Sequence, residues 1–363
     1  MLHDDILWTV DAITLVSRDL YCIDGTLREF DNVVAIAPRR RYAHEGRDAA
    51  VCSARRRDEV NPAFGDILAT DIHNLLYQGA ATRLAAADTP QDQRDYFKSQ
   101  LSAANCGTGT WEDGWHVVLS DIKNNQIAVS KRHVLFWVTT DEVKFQGKLD
   151  ASMACRVRIP NEAANLEGDY FTIFGNYSTV GCKNPVEDVV AFYWNLTAKG
   201  APDFVRYCTS ALNEARLHFK IKVLADPRAY LRPDAAILTI NQTDLAETLP
   251  ILHGILHKLN GEIKPATPLF CRRIADGLGF AEEPRDESSF GISRSKIIAG
   301  ALTRCLARGQ ILKGKILQSV KLSFEEHGIA PMAPYALKEH VSDYEQVFDA
   351  EMGIPIRRQE KLT

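Results

Sequence analysis

From Gly107 onward the hydrophobic pattern of the chain changes to period two. The stretch "WHVVLSDIKNNQIAVSKRHVLFWV" alternates or runs in short β-branched and aromatic blocks, and Asn124-Asn125 stands where a hairpin needs its turn. Further strands are predicted at "CRVRIP", "DYFTIFG" and "DVVAFYWNLT", and two more in "HFKIKVLADPRAYLRPDAAILTI", residues 218–240. Helical spacing returns in "APDFVRYCTSALNEARL" and "DLAETLPILHGILHKLN". The fold class expected is α+β: a helical N-terminal region followed by a mixed, largely antiparallel sheet flanked by helices.

The first hundred residues read as mainly helical. "NPAFGDILATDIHNLLYQGAATRLAA" has helical spacing, and Thr89-Pro90 opens "TPQDQRDYFKSQLSAAN" as a helix start. Between a strand-like "NVVAIAP" and these helices lies the basic run at 39–57. It reads as a solvated loop rather than a nucleic-acid arm, since Tyr42 and His44 are too few to interleave a stacking platform among its arginines. "TPLFCRRIADGLGFAEEPRDESS" is rich in Gly, Pro and charge and reads as loop, with Ser293 or Ser295 starting a helix that runs to Arg308. From about residue 331 the periodicity weakens into a tail. The expected domains are 1–105, a mainly helical region; 106–330, an α+β domain; and 331–363, the tail.

Composition narrows the function classes. The formal net charge of −4 gives no global basic field, so nucleic acid is not expected as partner and any anion site must be local. The eight cysteines stand singly, without a CxxC pair or the clustering of a disulfide framework or zinc site. The N-terminus lacks the basic and apolar regions of a secretory signal, and no stretch approaches a membrane span. A cytoplasmic chain with reduced thiols is the expectation, with no membrane partner. The phosphate-binding GxxxxGK[ST] loop, the kinase HRD and DFG set, the GxSxG elbow and HExxH are all missing from the sequence. His253 and His257 share a helical face but have no carboxylate between them and read as a surface pair, and Gly107 and Gly109 lead into strands rather than a helix. No metal and no cofactor are expected.

What remains is cationic. Strand alternation in "HFKIKVL" puts His218, Lys220 and Lys222 on one face, with Phe219, Ile221 and Val223 on the other. Upstream, "AFYWNLT" places Tyr193 and Asn195 together on one face. Arg232 follows Lys222 by a short loop, and Arg272, Arg273 and Arg294 come later. Converging arginines hold phosphate, because the guanidinium fork matches its oxygens in geometry and charge. A lysine partly withdrawn from water among them can serve as a base through its neutral amine. The same pattern also fits lysines on the wet face of an edge strand, with the arginines paired to Glu282, Glu283, Asp286 or Glu287.

The ordered pieces "FYWNLTAKGA", "HFKIKVLADPRAYLRPDAAILTI", "TPLF", "GLGFAEEP" and "SFGISR" resemble the HopA class of type III effectors. They also resemble the bacterial relatives of that class that act as lyase subunits in class V lanthipeptide and thioamitide biosynthesis. That resemblance implies a phosphoserine/phosphothreonine lyase partnered by a separate Ser/Thr kinase of phosphotransferase type. The kinase phosphorylates a ribosomal precursor peptide, and the lyase eliminates the phosphate to leave dehydroalanine or dehydrobutyrine. The order of strand, helix, lysine strand, arginine loop and strand is similar, more distantly, to the OspF and SpvC class of phosphothreonine lyases. On that pattern Lys222 is the catalytic base and Arg232 a phosphate ligand. The converging cations and the polar face of "AFYWNLT" add Arg272, Arg294, Lys220 and Asn195 as expected phosphate- or substrate-binding residues.

Those lyases carry a histidine acid where this chain has "YWNLT", so Tyr193 is the substitute acid with His218 behind it. Many relatives carry histidine where this sequence has Ser293. Two rival readings use the same residues. One is a non-catalytic phosphopeptide- or kinase-binding module. The other is a translocated type III effector, which the early onset of structure and the lack of a Ser-rich leader count against.

Overall fold

The computed structural model describes residues 1–17, 20–29, 63–79, 89–131, 134–145, 152–167, 169–177, 189–285 and 288–352. The basic run at 39–57 and the strand expected at "NVVAIAP" lie outside them. The chain divides into two compact units, Met1–Ala80 with Pro268–Arg272 and Pro284–Ser342, and Ala81–Thr267 with Arg273–Glu283 and Asp343–Thr363.

The first unit opens with α1 (Asp4–Asp11) and a three-stranded meander, β1 (Ile13–Ser17), β2 (Leu20–Ile23) and β3 (Thr26–Glu29). The described N-terminal residues therefore include three strands where helix was expected. Asp24 and Gly25 both have positive φ, 49° and 73°, which is the backbone that tight hairpins favour and that Asp-Gly adopts readily. Helix α2 (Phe64–Asp71) continues as a π-type turn over Ile72–Tyr77.

In the second unit, α3 (Gln91–Ala104) follows Thr89 and Pro90 as expected. A five-stranded sheet comes next: β4 (Thr110–Asp121), β5 (Gln126–Lys131), β6 (Val134–Thr139), β7 (Val143–Lys144) and β8 (Ala154–Ile159), in the order β6-β5-β4-β8-β7. The β4–β5 turn falls at the asparagines, with Asn125 at φ 56°. One face buries Trp115, Val117, Ile127, Val129 and Val157, a core separate from the larger sheet.

That larger sheet holds the site. Its elements are β9 (Glu162–Glu167), β10 (Tyr170–Phe174), β11 (Val189–Trp194), α4 (Ala201–Glu214), β12 (Phe219–Leu224), β13 (Ala236–Asn241), α5 (Leu245–Lys258), β14 (Arg272–Ala275) and β15 (Leu278–Glu282). The strand order is β14-β15-β11-β13-β12-β10-β9, and the pairings from β9 through β13 and on to β15 are antiparallel. The α+β expectation holds. The segment expected as loop at 272–282 is instead a hairpin turning at Asp276-Gly277. Gly277 has φ +66°, and a Cβ there would lie 2.2 Å from the Lys264 carbonyl oxygen. On one face of the sheet Phe192 packs against Phe280 and Trp194 against Phe204 of α4, with ring centroids 5.4 and 5.2 Å apart.

Helices α6 (Phe290–Ala307) and α7 (Lys313–Glu326) belong to the first unit. Helix α6 starts at Phe290, so Ser293 and Ser295 lie inside its opening turns, and Ser295 donates to the Gly291 carbonyl at 2.8 Å. Tyr77 presses on Gly291 so closely that a Cβ there would sit 2.7 Å from its ring. The expected tail contains α8 (Val341–Met352). Its Tyr344 and Phe348, one turn apart, pack their rings 5.0 and 4.9 Å from Phe280.

Candidate active site

Antiparallel registry places residues from five strands in rows across the second sheet. Lys222 pairs with Ile237 on one side and Thr172 on the other; Ile237 pairs with Tyr193, and Tyr193 with Gly279. Cross-strand partners project to the same face, so one row reads Gly279, Tyr193, Ile237, Lys222, Thr172. The next row reads Ala281, Ala191, Thr239, Lys220, Phe174. The alternation read from "HFKIKVL" is upheld: Phe219, Ile221 and Val223 are buried on the opposite face, whereas Lys220 and Lys222 are half-buried. Neither lysine stands on an edge strand, because β12 lies between β13 and β10.

Tyr193 and Lys222 are two strands apart, about 10 Å between backbones at the usual strand spacing. Phenol and amine can therefore reach one group held above Ile237. Tyr193 is 2% exposed and donates its hydroxyl to Glu283 Oε1 at 2.6 Å. Thr172, beside Lys222, is fully buried, and its hydroxyl has no hydrogen-bond partner among the described residues. His218 sits exposed just before β12, four residues and roughly 13 Å along the strand from Lys222. That separation removes it from the Lys222 row and from the expected role of reserve acid.

Arg232 corrects the expectation most. Its side chain is 5% exposed, with Nε 2.8 Å from Asp234 Oδ1 and Nη2 2.7 Å from Asp234 Oδ2. Nη2 also donates to the Tyr170 hydroxyl at 2.7 Å, and that hydroxyl lies 3.2 Å from Asp234 Oδ2. Asp169 stands 3.8 Å from Nη1. The anion in the guanidinium fork is the chain's own carboxylate. Burial opposes the charge on Arg232, but Tyr170, Asp234 and Asp169 outweigh it and hold the group above its usual protonation range. Burial, followed by the Asp234 charge, pushes the Tyr170 hydroxyl well above the ordinary phenol. Arg232 is therefore a buried structural cation near the Lys222 row, not an open phosphate ligand. Tyr170 shares the Lys222 face, two residues before Thr172 on β10.

Asn195 is 3% exposed and donates from Nδ2 to the Ala266 carbonyl at 2.8 Å. That ties it to the loop before β14 and corrects its expected role as a ligand. Arg272 and Arg294 lie in the first unit. Arg272 is half-buried, its guanidinium 6.0 Å from the Tyr335 ring. Arg294 is 4% exposed, donates from Nε to the Pro334 carbonyl at 2.7 Å and stacks 4.6 Å over Phe290. Arg294 thus fastens α6 to the 334 loop, where a phosphate-binding role was expected.

Sequence reading missed Asp234, Tyr170, Thr172 and Glu283 as members of this neighbourhood. Arg232 and Asp234 stand two apart across Pro233, a spacing that pattern could have flagged. The other three emerge only from strand pairing. His253 and His257 meet at Nε2 to Nε2, 3.2 Å apart and exposed. Among the described residues no three His, Cys, Asp or Glu gather as around a metal, and no helix is long and apolar enough to cross a membrane.

Residues 161–336 match the model of the HopA1 effector protein family. Two solved structures of effector proteins are similar. The one from Pseudomonas syringae pv. tomato strain DC3000 has 16% identity and a TM-score of 0.41. The one from Pseudomonas syringae pv. syringae strain 61 has 15% identity and a TM-score of 0.40. Each match covers 75% of this chain and 95% of the other. No curated protein matches the chain. The stretch from 161 to 336, which carries Lys222, Tyr193, Thr172 and Arg232, is thus the part of the chain similar to the HopA1 effector protein family.

Proposed function

We propose that the chain is a phosphoserine/phosphothreonine lyase acting on a peptide phosphorylated by a separate kinase. The observation that carries the reading is the shared row of Lys222 and Tyr193 on a half-open sheet face, with Lys220 in the next row. The Lys222 amine takes the α-proton of the phosphorylated residue. The electrons of that C–H bond form the Cα–Cβ double bond, and the Cβ–O bond breaks with its pair leaving on phosphate. Lys220 supplies positive charge to the departing group, and Tyr193, with Glu283 behind it, is the proton-carrying group of the same row. Neither a nucleophilic water nor a redox step enters the balance.

The test is mass spectrometry of a kinase-phosphorylated Ser/Thr peptide incubated with purified protein. The expected product has lost phosphoric acid. Lys222→Ala should keep phosphopeptide binding and abolish the loss, and Tyr193→Phe should slow it at least tenfold. Binding by the parent without any elimination would leave the non-catalytic phosphopeptide module. The family's description as effectors favours a second setting for the same chemistry, a translocated effector whose substrate is a host phosphoprotein. Turnover of host phosphoprotein in preference to a ribosomal precursor would select it.

A further inference from the structure

Thr172 is the direct cross-strand partner of Lys222, fully buried, and its hydroxyl has no partner among the described residues. A buried hydroxyl left unpaired is costly, and valine would fill the same volume without that cost. A threonine in such a place points to a partner in another state of the molecule. Directly paired residues on one sheet face have Cβ atoms about 5 Å apart, so the Lys222 amine is within reach of a rotamer change. We propose that Thr172 is a positioning residue for Lys222, a role that rests on the lyase reading above. Its Oγ1 accepts an N–H of the amine, turning the nitrogen lone pair toward the substrate, and holds the ammonium that forms once the proton is taken.

Among the described residues, the titratable groups on this face from neighbouring elements are Tyr170 on β10 with Arg232 and Asp234 at its hydroxyl, Lys220 on β12 and Tyr193 with Glu283 on the β11 side. Thr172→Val leaves all of them in place. That variant should melt at or above the parent temperature. Its kcat for phosphopeptide elimination should fall roughly tenfold, about the value of one hydrogen bond to a charged group, with KM unchanged. The acidic limb of its pH profile, on which the base is lost by protonation, should move, and Thr172→Ser should restore both rate and limb. A Thr172→Val enzyme with the parent's kcat and pH profile overturns the proposal, as does a Thr172→Ser enzyme that fails equally.

A readout without turnover separates this from failure of the lyase reading. Trace acetylation of the folded protein with acetic anhydride at a series of pH values, quantified at Lys222 by mass spectrometry, should show a shifted midpoint in Thr172→Val. An unchanged midpoint sinks the pairing even if the parent protein proves inactive on every phosphopeptide.

Discussion

The fork between Arg232 and Asp234 makes a prediction that separates a structural cation from a substrate ligand. Asp234→Ala would leave a guanidinium that is 5% exposed without the two hydrogen bonds, at 2.8 and 2.7 Å, that neutralise it. Breaking one partner of a buried, well-aligned pair costs about 3–5 kcal/mol. At roughly 2–4 °C per kcal/mol for a body of this size, the melting temperature should fall by about 10 °C. Tyr170 keeps one Nη2 hydrogen occupied at 2.7 Å, which places the loss toward the lower end of that range. Thermal melts and urea titrations read it directly. Arg232→Met with Asp234→Leu replaces the whole pair by apolar volume and should be less damaging than Asp234→Ala alone, so the cycle is strongly non-additive. A melting temperature within about 2 °C of the parent for Asp234→Ala, together with a changed phosphopeptide affinity, would refute the reasoning and return Arg232 to the substrate.

Two stability predictions come from the loop beside Asn195. Gly277→Ala forces a side chain into φ +66° with its Cβ 2.2 Å from the Lys264 carbonyl oxygen, and should cost on the order of 1–3 kcal/mol in urea unfolding. The Lys264 amine donates to the Tyr230 carbonyl, and burial lowers it from its ordinary value of 10.5. The folded protein therefore binds fewer protons there than the unfolded chain in the window between its lowered value and 10.5. The penalty is largest below the folded value and lifts as pH rises toward the unfolded one. The parent should gain more stability than Lys264→Met as pH rises toward 10.5, measured by urea unfolding along that rise; equal gains would contradict the assignment.

Much of the candidate site could be read from sequence because strand period fixes faces. The alternation in "HFKIKVL" placed Lys220 and Lys222 together, and parity in "AFYWNLT" placed Tyr193 correctly. What failed was pairing. Nothing in the local sequence says that β13 separates β11 from β12, so neither the row linking Tyr193 to Lys222 nor the burial of Thr172 was visible. Arg232 was expected to wait for phosphate because its neighbours suggested a loop; in the fold Asp234, two residues on, meets the guanidinium. Both missed hairpins turn on Asp-Gly, at Asp24-Gly25 and Asp276-Gly277. Surrounding charge and glycine had made the second read as loop. Helix α8 was hidden by weak overall amphipathy, although Tyr344 and Phe348 stand at helical spacing and bury against Phe280.

The strand order also governs when the site can exist during folding. β13 follows both β11 and β12 in the chain yet lies between them in the sheet, and β11 is completed by β15 through pairs such as Val190 with Glu282. Each of these closures spans a long loop and belongs to the slow, non-local part of folding. A slip of one residue between β12 and β13 would turn both lysines to the apolar face and bring Phe219 and Ile221 to the open one. A collapsed chain with its helices formed but its strands unregistered therefore holds no lysine row aligned with Tyr193. That row exists only after the last long-range strand has locked into place.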